Sequence, residues 1–457
     1  MSDSPTKRCL FESLPTELLI EVLKGLPDLT SLDSILHASP VVYRIFDECA
    51  VQVTDTILAC DYKFVVSYHR HPCRTDEIHH GPHAVESGIT CAAIRVMFYM
   101  MAAIRTSSLP VHSLADFHHR VCDPFWWDTT RNGRATVEYF MPESLPKDTP
   151  PKVVRSLIAT YSRINWLSLD CLKLYLTRFE SIRPSHPIMS RKALKKGGYR
   201  DGTMPPETKL EAFRDVRPAP VRQAGPPSWT EEQRVNRAFW RLQLLSDLKK
   251  AAANSLLAEW SNADVETLRD FDDAKLLELY VPFDAPEPFS WGTWASQPEW
   301  QEIQTALDYL CSTHEQHWPE QVVLPPEHRH RCPRLSTMIQ AHNEGMTAWP
   351  LPRHEVRGDK KLAKSSSACE AWDQLYSMIA YGERGGGGAG SFASFRRLGF
   401  AFWSEERLRA HGLIGNANNL GYYSVWKFGS AWHSMERVAG NKYAPRKECT
   451  VIEHQRA

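Results

Sequence analysis

The chain has 457 residues, 42% of them hydrophobic and 11% aromatic, enough apolar mass to exclude a wholly disordered protein; at roughly 150 residues per domain the length suggests about three domains. Its 54 Lys and Arg balance 54 Asp and Glu, so no long-range field draws it to nucleic acid or an anionic membrane, and neither is expected as a partner. Eleven widely spaced cysteines without a C-x-x-C exclude a disulfide framework and suggest a reducing compartment.

No apolar run follows the charges of the N-terminus, so no secretory leader is expected. The longest strongly apolar stretch, Val96 to Ile104, is nine residues where a membrane span needs about twenty. Cytoplasm, nucleus or both are the expected locations.

Residues 10–60 hold short helical patterns. Pro15 suits a first helical position, Leu18, Leu19, Val22 and Leu23 form an apolar stripe, and Gly25 marks a stop. Asp28 caps a second helix with Leu32, Ile35 and Leu36 on one face. Ser39-Pro40 opens a third that carries Tyr43 and Phe46 inward, and a fourth covers Val51 to Ala59. Each is too short to persist alone, so the four must pack as a bundle.

Residues 61–85 read as loop, and 86–105 as helix. A stronger helix runs from Val154 to Phe179 on apolar positions spaced by three and four. Eight prolines and four glycines between Arg183 and Ser228 mark a linker or an irregular excursion. Periodicity resumes at Thr230, where Thr230-Glu231-Glu232-Gln233 has the form of a capping box before a stripe of Val235, Ala238, Phe239, Leu242 and Leu245. Further helices are predicted from Ser296, over 369–382 and over 404–413. Period-two alternation is scarce, so the fold class is mainly α with low strand content. The predicted organisation is a bundle over 10–60, a helical segment over 61–183, a Pro/Gly-rich linker over 184–228 and an irregular helical domain over 229–457.

Leu14-Pro15-Thr16-Glu17-Leu18 and the amphipathic stretch to Leu26 resemble the opening of an F-box. The continuation through Leu29, Leu32, Ile35, Leu36, Ala38-Ser39-Pro40 and Tyr43-Arg44-Ile45-Phe46 resembles the variant common in fungal F-box-like proteins. The resemblance covers residues 13–58 and extends weakly to 237–244 and 398–408. Ala38-Ser39 stand where the family carries a Val-Cys pair, and the Trp that follows that pair is absent. The resemblance implies a small helical bundle with an uncovered apolar strip for a Skp-type adapter, and through it a cullin scaffold. By motif position Leu14 and Pro15 would enter the adapter groove, with Leu18, Val22 and Leu26 extending or supporting the strip. A substrate receptor of a Skp–cullin–F-box ubiquitin ligase is the expected function; its substrate-binding residues are unknown, and the ligase chemistry belongs to partners.

Other constellations carry weaker signals. His314-Glu315-Gln316-His317 with His328, His330 and Cys332 offers zinc donors, but H-E-x-H is not the H-E-x-x-H of a metalloprotease. His69, His71, Cys73, His79, His80 and His83 are irregularly spaced. The run Gly385 to Gly390 follows a helical pattern and precedes no G-K-[ST], so a linker explains it better than a phosphate cradle. Arg191, Lys192, Lys195, Lys196 and Arg200 form a basic patch in the linker. Phe289, Trp291, Trp294, Trp300 and Trp318 would pin loops or line a groove. No catalytic residue, metal or cofactor is expected. The alternatives to the adaptor are a ligase-independent helical scaffold and, behind it, a zinc-binding protein using residues 314–332.

Overall fold

The computed structural model describes residues 11–69, 86–122, 140, 142–181, 185–188, 215–218, 221–222, 224–271, 279, 298–317 and 396–411. These residues are mainly α-helical. A two-stranded antiparallel ribbon, β1 (Ser185–Ile188) and β2 (Asp215–Pro218), lies within the Pro/Gly-rich segment and pairs Ser185 with Pro218.

After a 3₁₀ turn over Phe11–Ser13, α1 (Thr16–Lys24) and α2 (Leu29–Ala38) follow closely. Asp28 caps α2 as predicted, its carboxylate accepting the Ser31 N–H at 2.6 Å. α3 (Pro40–His69) is two helical runs merged across a kink at Cys49, whose φ of −133° is not helical. The predicted third and fourth helices thus join end to end, and 61–69 is helix where a loop was expected. Phe46 points inward, but Tyr43 is exposed, because the aligned apolar face of α3 is Val42, Phe46, Ala50 and Val53.

α4 (Glu86–Arg105) matches the predicted helix. Val96 to Ile104 is buried on every side, as an all-round apolar helix must be in a large core. Among the described residues no helix is long and apolar enough to cross a membrane. α5 (Leu114–Phe117) is capped by Ser113 and runs into a π-helical turn over His118–Cys122.

α6 (Pro151–Glu180) opens on a proline, whose missing N–H costs nothing there, and spans about 45 Å. Its buried side carries the predicted stripe from Val154 to Phe179. α7 (Trp229–Ala253) lies against α4 and α6. Helices on either side of the Pro/Gly-rich segment therefore share one apolar core. α7 is sheathed beyond its predicted stripe, since every residue from Ala238 to Leu248 is buried. α8 (Asn262–Asp270), α9 (Pro298–His317) and α10 (Glu405–Ala410) complete the described helices.

The capping box of α7 lies two residues before the predicted one. Ser228 is the cap: its hydroxyl accepts the Glu231 N–H at 3.3 Å, and the Glu231 carboxylate accepts the Ser228 N–H at 2.8 Å. Glu231 is fully buried and shared with α10. Arg407 donates to it at 2.9 Å, and the Ser404 N–H and hydroxyl each donate to it at 2.8 Å. The same guanidinium reaches the carbonyls of Gly225 and Pro226 at 3.0 and 2.7 Å. Arg234 donates to the Trp403 carbonyl at 3.1 Å. Thus 398–408, which sequence linked only loosely to 237–244, is clasped to the N-terminal turns of α7.

Aromatic contacts complete this clasp. Phe179 meets Phe400 edge-on and Trp403 and His411 at tilted angles, and Tyr175 meets Phe402. Gly399, at φ +72°, turns the chain against α6; an added Cβ would stand 2.7 Å from the Tyr175 Cβ.

Candidate docking surface

α1 is amphipathic in a way that its sequence stripe conceals. Four apolar positions, Leu18, Leu19, Val22 and Leu23, suggest one face, yet the helix divides them in two. Leu19 and Leu23 are 1% and 0% exposed against α3, whereas Leu18 and Val22 are 52% and 41% exposed. Leu14, 37% exposed, stands one turn before Leu18 and continues the outer row. Leu18 and Val22 are spaced i, i+4, which aligns them along one side of α1, and Leu14 stands just before the helix entry.

The entry to α1 is fixed by backbone geometry. The Leu14 N–H donates to the Phe11 carbonyl at 3.2 Å, closing the 3₁₀ turn that presents Leu14. Pro15 is exposed and caps the helix with ψ 145°; its carbonyl accepts the N–H groups of Leu18 and Leu19 at 3.0 and 3.1 Å. Leu26 is half-buried and packs against the core, so it supports the end of the row instead of extending it. The five predicted positions thus fall into an exposed set, Leu14, Pro15, Leu18 and Val22, and one supporting residue, Leu26.

The rim is polar. Glu17 and Glu21 are exposed on α1, and Lys24 donates to Glu21 at 2.8 Å. Among the described residues, the large exposed hydrophobics are Leu14, Leu18, Val22, Tyr43 and Val221, so three of the five share this row. These side chains form one small apolar patch, whereas Tyr43 and Val221 are not part of the row.

Arg155 is a residue that sequence reading missed, and Tyr43, expected inward, is exposed. The Arg155 guanidinium sits 4.4 Å from the Tyr43 ring centroid and also pairs with Asp47, which ties α3 to α6. Asp47 and Arg155 are 108 residues apart, so no local pattern announces them. Behind α1, burial pushes the Cys49 thiol up against the opposing effect of the Lys24 ammonium, so it stays protonated and a poor nucleophile at neutral pH. Burial likewise raises Cys171 and Tyr175 well above their ordinary values, the neighbouring Asp170 and Cys171 adding to it respectively.

Among the described residues no group of three or more His, Cys, Asp or Glu is placed to hold a metal ion. Of the predicted zinc cluster, His314 to His317 close α9, while His328, His330 and Cys332 lie outside the described residues. The histidines from His71 to His83, the 191–200 basic patch, the 385–390 glycine run, the 369–382 helix, and Phe289, Trp291, Trp294 and Trp318 also lie outside them. No family model, curated protein or solved structure matches the chain.

Proposed function

We propose that the chain is a non-catalytic adaptor that docks the outer row of α1 into a Skp-type adapter and so recruits an unknown protein to a Skp–cullin–F-box ubiquitin ligase. The observation that carries this reading is the split of α1: Leu14, Leu18 and Val22 remain part-exposed to water while Leu19 and Leu23 hold the helix to the fold. Covering each half-exposed side chain with a partner's apolar groove contributes on the order of 1 kcal/mol before association costs. A helix row of this kind binds in a groove through a few apolar anchors. The cytoplasm or nucleus is where such a ligase would be met.

The test is capture of purified Skp-type adapter by the full-length chain, beside a Leu14→Ala/Pro15→Ala variant. Capture by the native chain alone, with equal helicity by circular dichroism, is the expected result. Capture by neither chain would overturn the adaptor reading. A ligase-independent scaffold would then stand, favoured by the packing of α2 and α3 on α6 and by the Tyr43–Arg155–Asp47 contact.

A further inference from the structure

A second surface, independent of α1, is a cavity of about 360 Å³ where the C-terminal ends of α4 and α7 meet the first half of α6. α6 contributes Ser156, Thr160 and Arg163, and α7 contributes Gln243, Asp247 and Lys250; each set is spaced i, i+4, i+7, so each lies on one helix face. Arg105 comes from the last turn of α4. The charged lining is therefore three cations against one carboxylate.

That carboxylate is already satisfied. Asp247 accepts from Arg105 Nε at 2.7 Å on one oxygen and from Gln243 at 2.8 Å on the other. Arg105 is held rigidly, donating also to Ser156 Oγ at 2.9 Å and Thr160 Oγ1 at 3.1 Å. Both hydroxyls spend their own hydrogens on helix carbonyls, at 2.7 Å each, which turns their lone pairs toward Arg105.

Arg163 and Lys250 are left over. Arg163 donates through Nε to the Ala159 carbonyl at 3.1 Å, and its two terminal nitrogens have no partner among the described residues; nor does the Lys250 ammonium. Cations in the last turns of α4 and α7 offset the helix dipoles, but Arg163 stands mid-helix and has no such role. Desolvation and the Arg105 charge lower its pKa, with Asp33 and Asp247 opposing, so the guanidinium is held beside another one and hydrogen-bonds neither carboxylate. Arg163, Lys250 and Asn254 are exposed, which leaves the cavity open to solvent on their side.

We propose that this cavity binds the phosphoryl group of a phosphate monoester, Arg163 and Lys250 contacting its oxygens and Arg105 presenting its remaining N–H groups from behind. Planar guanidinium forks match phosphate geometry, and a dianion matches the excess of three cations over one carboxylate in the lining. The volume exceeds what phosphate alone needs and leaves room for the group esterified to it.

The full-length chain is titrated calorimetrically with inorganic phosphate, O-phosphoserine and a phosphoserine peptide, with serine as control, and its melting temperature is followed in the same ligands. Phosphate and O-phosphoserine are expected to bind and to raise the melting temperature, and serine to do neither. Arg163→Gln and Lys250→Gln should each weaken binding about ten-fold or more, while Arg44→Gln, an exposed arginine on α3, leaves it unchanged. Without ligand, Arg163→Gln should melt at or above the native temperature because a repulsion is relieved. Equal affinity for O-phosphoserine and the peptide identifies a small phosphorylated metabolite as the source; a peptide bound about ten-fold tighter or more identifies a phosphorylated chain. No binding by the native chain, or equal weakening in the Arg44 variant, overturns the proposal.

Discussion

The α1 row and the α7–α10 clasp are opposite uses of surface. In α1 and the turn before it, apolar side chains at 14, 18 and 22 are part-exposed to water. In the clasp, charged side chains stand in the core: Glu231 and Arg407 are buried and satisfy each other, the Ser404 and Ser228 N–H groups, and two carbonyls. The first arrangement leaves apolar surface in water, which the proposed adapter contact would cover. The second holds a distant segment to the helix and is explained by the fold alone, because a buried ion costs several kcal/mol unless every contact is made.

The sharpest way to break this contrast is Arg407→Met, which strands Glu231 without its cation. A loss of about 3–5 kcal/mol in denaturant unfolding is expected, with part recovered in the Glu231→Gln/Arg407→Met double variant. Gly399→Ala comes next. The positive φ alone costs about 1–3 kcal/mol, and the approach to Tyr175 adds to it, which a shift of the urea midpoint will show.

The pH response of the clasp has a defined sign. Burial alone would raise the Glu231 carboxyl, but the Arg407 bonds and charge, with the Ser404 and Ser228 N–H groups, outweigh it and hold the group below its ordinary value. A depressed folded-state pKa gives stability that is full above the unfolded value of about 4.3 and is lost as pH falls through the folded one. Melting temperatures from neutral pH to about pH 3 should therefore fall less steeply for Glu231→Gln than for the native chain.

The smallest effect is expected on the row itself. Leu18→Asp/Val22→Asp should change stability by no more than about 0.5 kcal/mol per site while abolishing adapter capture. A large loss of stability in that variant would show that the row serves the fold and erase the contrast.

Helices and their approximate bounds were legible because they depend on local spacing. Asp28 and Pro40 mark starts by backbone chemistry that neighbours within one turn complete. Where a tertiary partner intervened, local spacing misplaced the detail. The α7 cap sits at Ser228 instead of Thr230: both residues head a local capping pattern, and Glu231 serves Ser228 while also reaching Arg407, 176 residues away. Tyr43 faces outward because the buried face of α3 is Val42, Phe46, Ala50 and Val53, and the Arg155 guanidinium of α6 lies over its ring.

By itself the sequence determined a mainly α chain with a Leu-Pro-x-Glu-Leu entry and an apolar α1, since a 3.6-residue period and a proline's fixed φ act within a few residues. Only the tertiary structure decided which of α1's two apolar rows faces the core. Period alone sets the Leu18 and Leu19 rows about 100° apart without saying which is inward, and the packing of α3 against Leu19 and Leu23 chooses between them. The cavity at Arg163 and the Glu231–Arg407 clasp were beyond sequence for the same reason: their members are joined by packing across 51 to 176 residues, where no period carries information.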